Sequence, residues 1–300
     1  MTSRWHLSWV GALIALLAVH LRAELRVTGS DLLGLEFTRS FYEFSARKGF
    51  QLAVALDGSR PGLEELKDGR ADLSLIVLPP DELGRLAPFR AVPLGYHPIV
   101  VLVPEACPLE KISLEQLRHV FGSAPGENGN TRLRWQDLGA RGEWSGAFVT
   151  LVAPEVGSGL MLEYFTTTVL RERPLRAGVE RFSGTAELRA YFADSSRAIA
   201  LAPVLPRGSR GIRALRIAAA DEDPGVGPTL ETIHAGIYSL RMPIQVVFRP
   251  ERARDLAPLF EFLFGDTSAA LLEQAEVSPL PASLRVEQLK AYAAGGSPGK

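Results

Sequence analysis

The stretch Leu25-Arg26-Val27-Thr28-Gly29-Ser30-Asp31-Leu32-Leu33-Gly34-Leu35-Glu36-Phe37 decides the fold reading. Residues 25–28 form a short strand-like run, and Gly29-Ser30-Asp31 has turn chemistry. Apolar positions then recur at helical spacing through Leu32, Leu33, Leu35, Phe37, Phe41 and Phe44. The order returns at once: residues 51–56 read as a strand and Asp57-Gly58-Ser59-Arg60 as a turn. Residues 61–67 then start a helix with proline in its first turn. Residues 72–78 make a third strand, closed by Pro79-Pro80. Strands alternating with helices predict an α/β protein with mixed, mainly parallel sheets and helices on both faces.

Further along, the nearly continuous apolar run at 98–104 suits a strand buried on both sides. Ser113-Leu114-Glu115-Gln116 matches a capping box and predicts a helix over 114–120. The Gly-, Asn- and Pro-rich segment 122–131 reads as a loop, 148–152 as a strand, Gly157-Ser158-Gly159 as a turn and 160–170 as a helix. Further helices are expected at 186–192, 252–264 and 268–274, and strands at 199–201 and 244–248. The tail 295–300 is expected to fray.

The chain of 300 residues has 33 Lys and Arg against 34 Asp and Glu, so no basic excess points to nucleic acid or anionic lipid. A single cysteine, Cys107, cannot form an internal disulfide, and five scattered histidines supply no zinc framework, so no metal or cofactor is expected. Arg4, an apolar run from Trp9 to Val19 and the small residue Ala23 fit a secretory signal over residues 1–23, cleaved after Ala23. A retained anchor or a buried N-terminal helix is the competing reading.

Gly-Ser pairs recur at strand-to-helix junctions, as Gly29-Ser30, Gly58-Ser59 and Gly157-Ser158-Gly159. A helix N-terminus presents free N–H groups and a positive dipole end, glycine admits an oxyanion to the backbone, and serine adds a hydroxyl. Three such junctions around one cleft would make an oxyanion site. The same residues are also ordinary caps and turns without any ligand. Arg60 is a candidate anion fork or a solvated surface residue, and Asp31 is expected as an N-cap. His97, Trp135 and Cys107 read as structural rather than ligand-facing.

Those junctions, with Gly69-Arg70-Ala71-Asp72, Ile112-Ser113-Leu114-Glu115-Gln116-Leu117 and Trp135-Gln136-Asp137-Leu138-Gly139, resemble phosphate-type substrate-binding proteins of ABC transporters. Pro228-Thr229-Leu230-Glu231-Thr232-Ile233, followed by Gly236-Ile237-Tyr238-Ser239-Leu240 and Pro243, is similar to a further segment of that family. The resemblance covers most of residues 25–275. It implies a two-lobed type II periplasmic-binding fold: a first lobe of residues 24–95 plus about 249–300, and a second of about 96–248 inserted between crossover strands. It also implies ligand contacts at Ser59, Ser158 and Gly159, with Ser30 in the first binding loop, while Arg60, next to Ser59 at a helix start, is a candidate compensating cation. Family members hold phosphate with hydroxyls, backbone N–H groups, an Arg and an Asp acceptor. Leu32, Val77, Pro154 and Leu160 stand where four of those contacts are expected.

No Gly-x-Ser-x-Gly elbow, phosphate-loop motif, dinucleotide fingerprint or HExxH pair occurs, which argues against catalysis. The expectation is a monomeric, exported binding protein for phosphate or a related oxyanion, with an ABC permease or a sensor as partner. The alternative is an interaction or scaffold protein that keeps the fold after its binding site has decayed.

Overall fold

The computed structural model describes residues 24–123, 132–155, 159–171, 173–193, 197–203 and 210–293. The expected signal segment, Ser158, most of the 122–131 loop and the 295–300 tail lie outside them. The chain begins with β1 (Leu25–Gly29), α1 (Gly34–Lys48), β2 (Leu52–Ala55), α2 (Ser59–Lys67), β3 (Leu73–Ile76), a single turn α3 (Pro80–Leu83) and β4 (Arg90–Pro98). It crosses into β5 (Val100–Pro104), β6 (Lys111–Ser113), α4 (Leu114–Phe121), β7 (Thr150–Pro154), α5 (Gly159–Phe165), β8 (Glu180–Phe182), α6 (Thr185–Ala193), β9 (Ala198–Ala202), β10 (Ile212–Ala214), β11 (Arg216–Ala218) and α7 (Leu230–His234). It returns through β12 (Arg241–Phe248), α8 (Ala257–Leu263), α9 (Asp266–Gln274), β13 (Ser278–Pro279) and α10 (Ala282–Ala293).

The first sheet has the order β13-β4-β12-β3-β1-β2 and the second β10-β5-β9-β7-β8, with β11 and β6 as a separate pair. Both larger sheets are covered on two faces. In the first, Leu73 and Leu75 of β3 pack on the side of Phe37, Phe41 and Phe262, whereas Ile76 packs with Leu63 and Leu66 of α2. Phe41 and Phe262 stack with centroids 4.2 Å apart, which locks α1 against α8. In the second, Val101, Leu151 and Ile199 face Trp135 and Phe165, while Val100, Val152 and Ala200 face Leu188 of α6.

The βαβ reading of the first residues holds: β1 pairs in parallel with both β2 and β3. The Ser113–Gln116 capping box is present, with both reciprocal bonds made. The sheets are parallel only in part, because β12 runs antiparallel to both β3 and β4, and β5 antiparallel to β9 and β10. The β4–β12 ladder runs from Arg90 opposite Phe248 to Pro98 opposite Arg241. Residues 96–98 and 241–248, assigned to the second lobe from sequence, are therefore hydrogen-bonded into the first sheet. β4 has no clear strand signature because Pro93, Gly95 and Pro98 interrupt it. The expected helix at 252–264 begins only at Ala257, after a 3-10 turn at Pro250–Arg252. The one expected at 160–170 relaxes into a π turn at Thr166–Leu170.

The two crossovers are tied together where they pass between the sheets. Ile99 N–H donates to the Leu240 carbonyl at 2.9 Å, and the buried Tyr238 hydroxyl donates to the Ile99 carbonyl at 2.7 Å. Removing that hydroxyl leaves a buried carbonyl with one partner fewer. Tyr238→Phe is expected to lower unfolding free energy by about 1–2 kcal/mol in denaturant titration, with no change in the far-ultraviolet circular dichroism spectrum.

Candidate functional site

The N-terminus of α2 is seated by three glycines. Gly29 has φ +138°, and a Cβ there would lie 1.9 Å from the Leu75 carbonyl oxygen. A Cβ on Gly62 would lie 2.6 Å from Gly29 N. Gly58 N–H donates to the Gly29 carbonyl at 2.7 Å, and Ser30 N–H to the Leu75 carbonyl at 2.6 Å. β1, β3 and the first turn of α2 thus meet backbone to backbone, and a side chain at Gly29 or Gly62 would push them apart. In addition, the buried Thr28 hydroxyl donates to the Gly62 carbonyl at 3.0 Å.

This seating presents Ser59, Arg60 and Pro61 to a pocket of roughly 170 Å³, whose other walls are Val77, Leu78 and Pro79 after β3 and Glu163 and Tyr164 of α5. The pocket therefore lies between elements of the two lobes. Ser59 is buried, and its Oγ accepts the Val77 N–H at 2.9 Å. That leaves its own O–H proton to donate. Arg60 Nη2 meets Glu163 Oε1 at 2.5 Å and Glu82 Oε1 at 2.9 Å. The hydrogen bond to Glu163, and next that to Glu82, raise the guanidinium pKa still further. The Tyr164 hydroxyl donates to the Arg241 carbonyl at 2.8 Å, and burial pushes its pKa up.

Of the residues expected to bind ligand, Ser59 and Arg60 are brought together at this pocket. Ser30 is buried and does not line the pocket: its Oγ accepts the Leu32 N–H at 3.3 Å as cap of the 3-10 turn Asp31–Leu33. The cap is thus Ser30, and Asp31, expected in that role, is the first residue of the turn. Gly159 opens α5, whose later residues Glu163 and Tyr164 reach the pocket, and Ser158 lies outside the described residues. Val77 lines the pocket at the position where the family resemblance anticipates an acidic acceptor. Pro154 ends β7, buried, and its carbonyl accepts from Arg181 Nη1 at 3.1 Å.

Glu82, Glu163 and Tyr164 were not singled out by sequence reasoning. Glu163 sits one turn into a helix after a Gly-Ser-Gly junction, a recognisable place, but its pairing with a residue 103 positions earlier is a product of the tertiary fold. Trp135 is a packing residue, edge-on to Trp144 at 4.9 Å with its Nε1 donating to the Arg197 carbonyl. Burial pushes the Cys107 thiol pKa up. Among the described residues no cluster of His, Cys, Asp or Glu is arranged to hold a metal ion.

No protein-family model matches the chain, and no curated protein matches it. Solved structures do. A possible phosphate-binding protein from Planctomyces limnophilus superposes with a TM-score of 0.73 at 16% identity, covering 91% of this chain and 98% of that one. The chain has the type II periplasmic-binding fold. An ABC-type phosphate transport receptor from Vibrio cholerae gives 0.63 at 17% identity, covering 86% and 100%. PstS from Borrelia burgdorferi gives 0.66 at 14%, covering 86% and 99%. Within this periplasmic-binding fold, α2 and α5 face each other across the cleft from different lobes, and the pocket between them is the natural candidate site.

His97 lies apart from the pocket, buried in β4, with Nδ1 donating to the Pro98 carbonyl at 3.2 Å. Burial pushes its pKa down to about 4 from an ordinary 6.5. The unfolded chain therefore binds a proton near pH 6.5 that the folded chain refuses until about pH 4. Stability is at its full value above pH 6.5 and falls as pH drops through that window, by up to roughly 3 kcal/mol. In denaturant titrations at several pH values, His97→Gln is expected to flatten this part of the profile. An unchanged slope would show that other groups cause it.

Proposed function

We propose that this chain is an exported solute-binding protein that captures a small oxyanion, phosphate or a close relative, in the cleft between its lobes. The observation that carries the reading is the convergence of the α2 N-terminus, the Ser59 hydroxyl and the Arg60 guanidinium on one interlobe pocket. The first N–H groups of a helix have no intrahelical acceptor and lie at the positive end of its dipole. An oxyanion at this pocket gains backbone donors, a hydroxyl and a cation together. The pocket volume of roughly 170 Å³ accommodates a tetrahedral anion.

The charge balance constrains the affinity. One guanidinium faces two carboxylates, so an anion must take the place of at least one of them on Arg60. With Val77 in the wall instead of an acid, the carboxylates that can meet a proton carried by the ligand are those of Glu163 and Glu82, both engaged with Arg60. Export is supported by the Arg4, Trp9–Val19 and Ala23 pattern, and among the described residues no helix is long and apolar enough to cross a membrane. The solved phosphate transport receptors with this fold support delivery to an ABC permease, or to a sensor, as the downstream step.

A second reading, an interaction protein that keeps the fold without a ligand, is favoured by the same Glu82–Arg60–Glu163 group, which satisfies the cleft cation internally. Calorimetric titration of residues 24–300 with phosphate, sulfate, molybdate and small organic phosphates separates the two. Saturable binding of the inorganic anions is expected. Ser59→Ala should weaken it by about 0.5–1.5 kcal/mol and also lower stability, because the buried Val77 N–H loses its acceptor. Folded protein that responds to no member of the series would overturn oxyanion capture and leave other ligands or the interaction reading.

A further inference from the structure

The pairing of Arg60 has a geometry that goes beyond oxyanion capture, on which the following rests. Both carboxylates meet the same nitrogen, Nη2: Glu82 from α3 in the first lobe and Glu163 from α5 in the second. A guanidinium has two edges that can grip an oxyanion with parallel hydrogen bonds, and each edge uses one of the two Nη2 protons. With two carboxylate oxygens on the nitrogen that both edges share, an oxyanion meets a carboxylate at either edge. Glu82 travels with Arg60, since α2 and α3 flank the same strand, β3. Glu163 travels with the other lobe, across a connection made of the β4–β5 crossover and the segment around Tyr238 and Leu240. Parting of the lobes removes Glu163 from Arg60 and leaves Glu82 in place.

We propose that Glu163 is an internal competitor for the cleft: its carboxylate occupies the edge of Arg60 that an oxyanion needs and ties the lobes together across the pocket. An incoming anion must displace it and then tolerate it as a like charge, so Glu163 sets a threshold concentration for ligand-bound closure. The side chains involved remain 55%, 38% and 34% exposed for Arg60, Glu163 and Glu82. Pairs with that exposure to water are weak enough to exchange.

The test compares Glu163→Gln with Glu82→Gln, which remove equal charge from the same nitrogen, in the full mature chain. Inorganic phosphate affinity is measured by calorimetry. Lobe separation in phosphate-free buffer is measured by the distance between spin labels at Arg47→Cys and Ala190→Cys, with Cys107→Ala. Glu163→Gln is expected to bind phosphate roughly fivefold more tightly and to broaden and lengthen the distance distribution, while Glu82→Gln leaves that distribution as in the parent. An unchanged distribution in Glu163→Gln, or the same gain in affinity for both variants, overturns the proposal. Phosphate binding by the parent with no gain in Glu163→Gln overturns the competitor alone, whereas no binding by the parent or either variant overturns the oxyanion reading itself.

Discussion

The close approach of backbones at Gly29, Gly58 and Gly62 is the constraint on which the cleft depends. Two of these positions have no room for a Cβ, and the third donates its N–H into the junction. The result is a helix start held to the end of β1 by a hydrogen bond of 2.7 Å, with that end held in turn to β3 by one of 2.6 Å. Ser59 extends the same junction by accepting the Val77 N–H, so the walls of the pocket on the first-lobe side are one hydrogen-bonded unit. A binding surface held this way has little freedom to change shape on the first-lobe side.

The crossovers in turn explain why the fold tolerates an extensive inserted lobe. β4 and β12 form a long antiparallel ladder inside the first sheet, and Tyr238, Ile99 and Leu240 bind the two connections to each other just beyond it. Across the cleft the forces are smaller. A partly exposed ion pair contributes about 0–1 kcal/mol, whereas a hydrogen bond from a charged donor contributes about 1.5–3 kcal/mol. An oxyanion that gains Arg60, Ser59 and helix amides together can therefore displace one carboxylate, though with less surplus than at a site holding an unpaired arginine.

Much of this was legible in the sequence because it is local. The Leu25–Phe37 stretch, the Ser113–Gln116 capping box and the apolar run at 100–104 each specify their element through neighbours a few residues away. The segment around Thr229, Tyr238 and Leu240 was legible as a motif, but its work is structural: Thr229 caps α7 and Tyr238 ties the crossovers. β4 was hidden by its own prolines and glycine, and its membership of the first sheet rests on partners more than 140 residues away in β12. For the site, Ser59 and Arg60 were visible as a helix start. Their partners were not, since Glu163 becomes relevant only when two lobes place α5 opposite α2.

Oxyanion capture by this chain stands or falls with an anion site at the start of α2, facing the second lobe. A crystal structure of residues 24–300 grown with millimolar phosphate tests it most directly. A tetrahedral anion is expected within hydrogen-bonding distance of the Ser59 hydroxyl and Arg60, with Glu163 withdrawn from Nη2. Glu163 still on Arg60 and no anion at the α2 N-terminus, in protein saturated with phosphate, would contradict it.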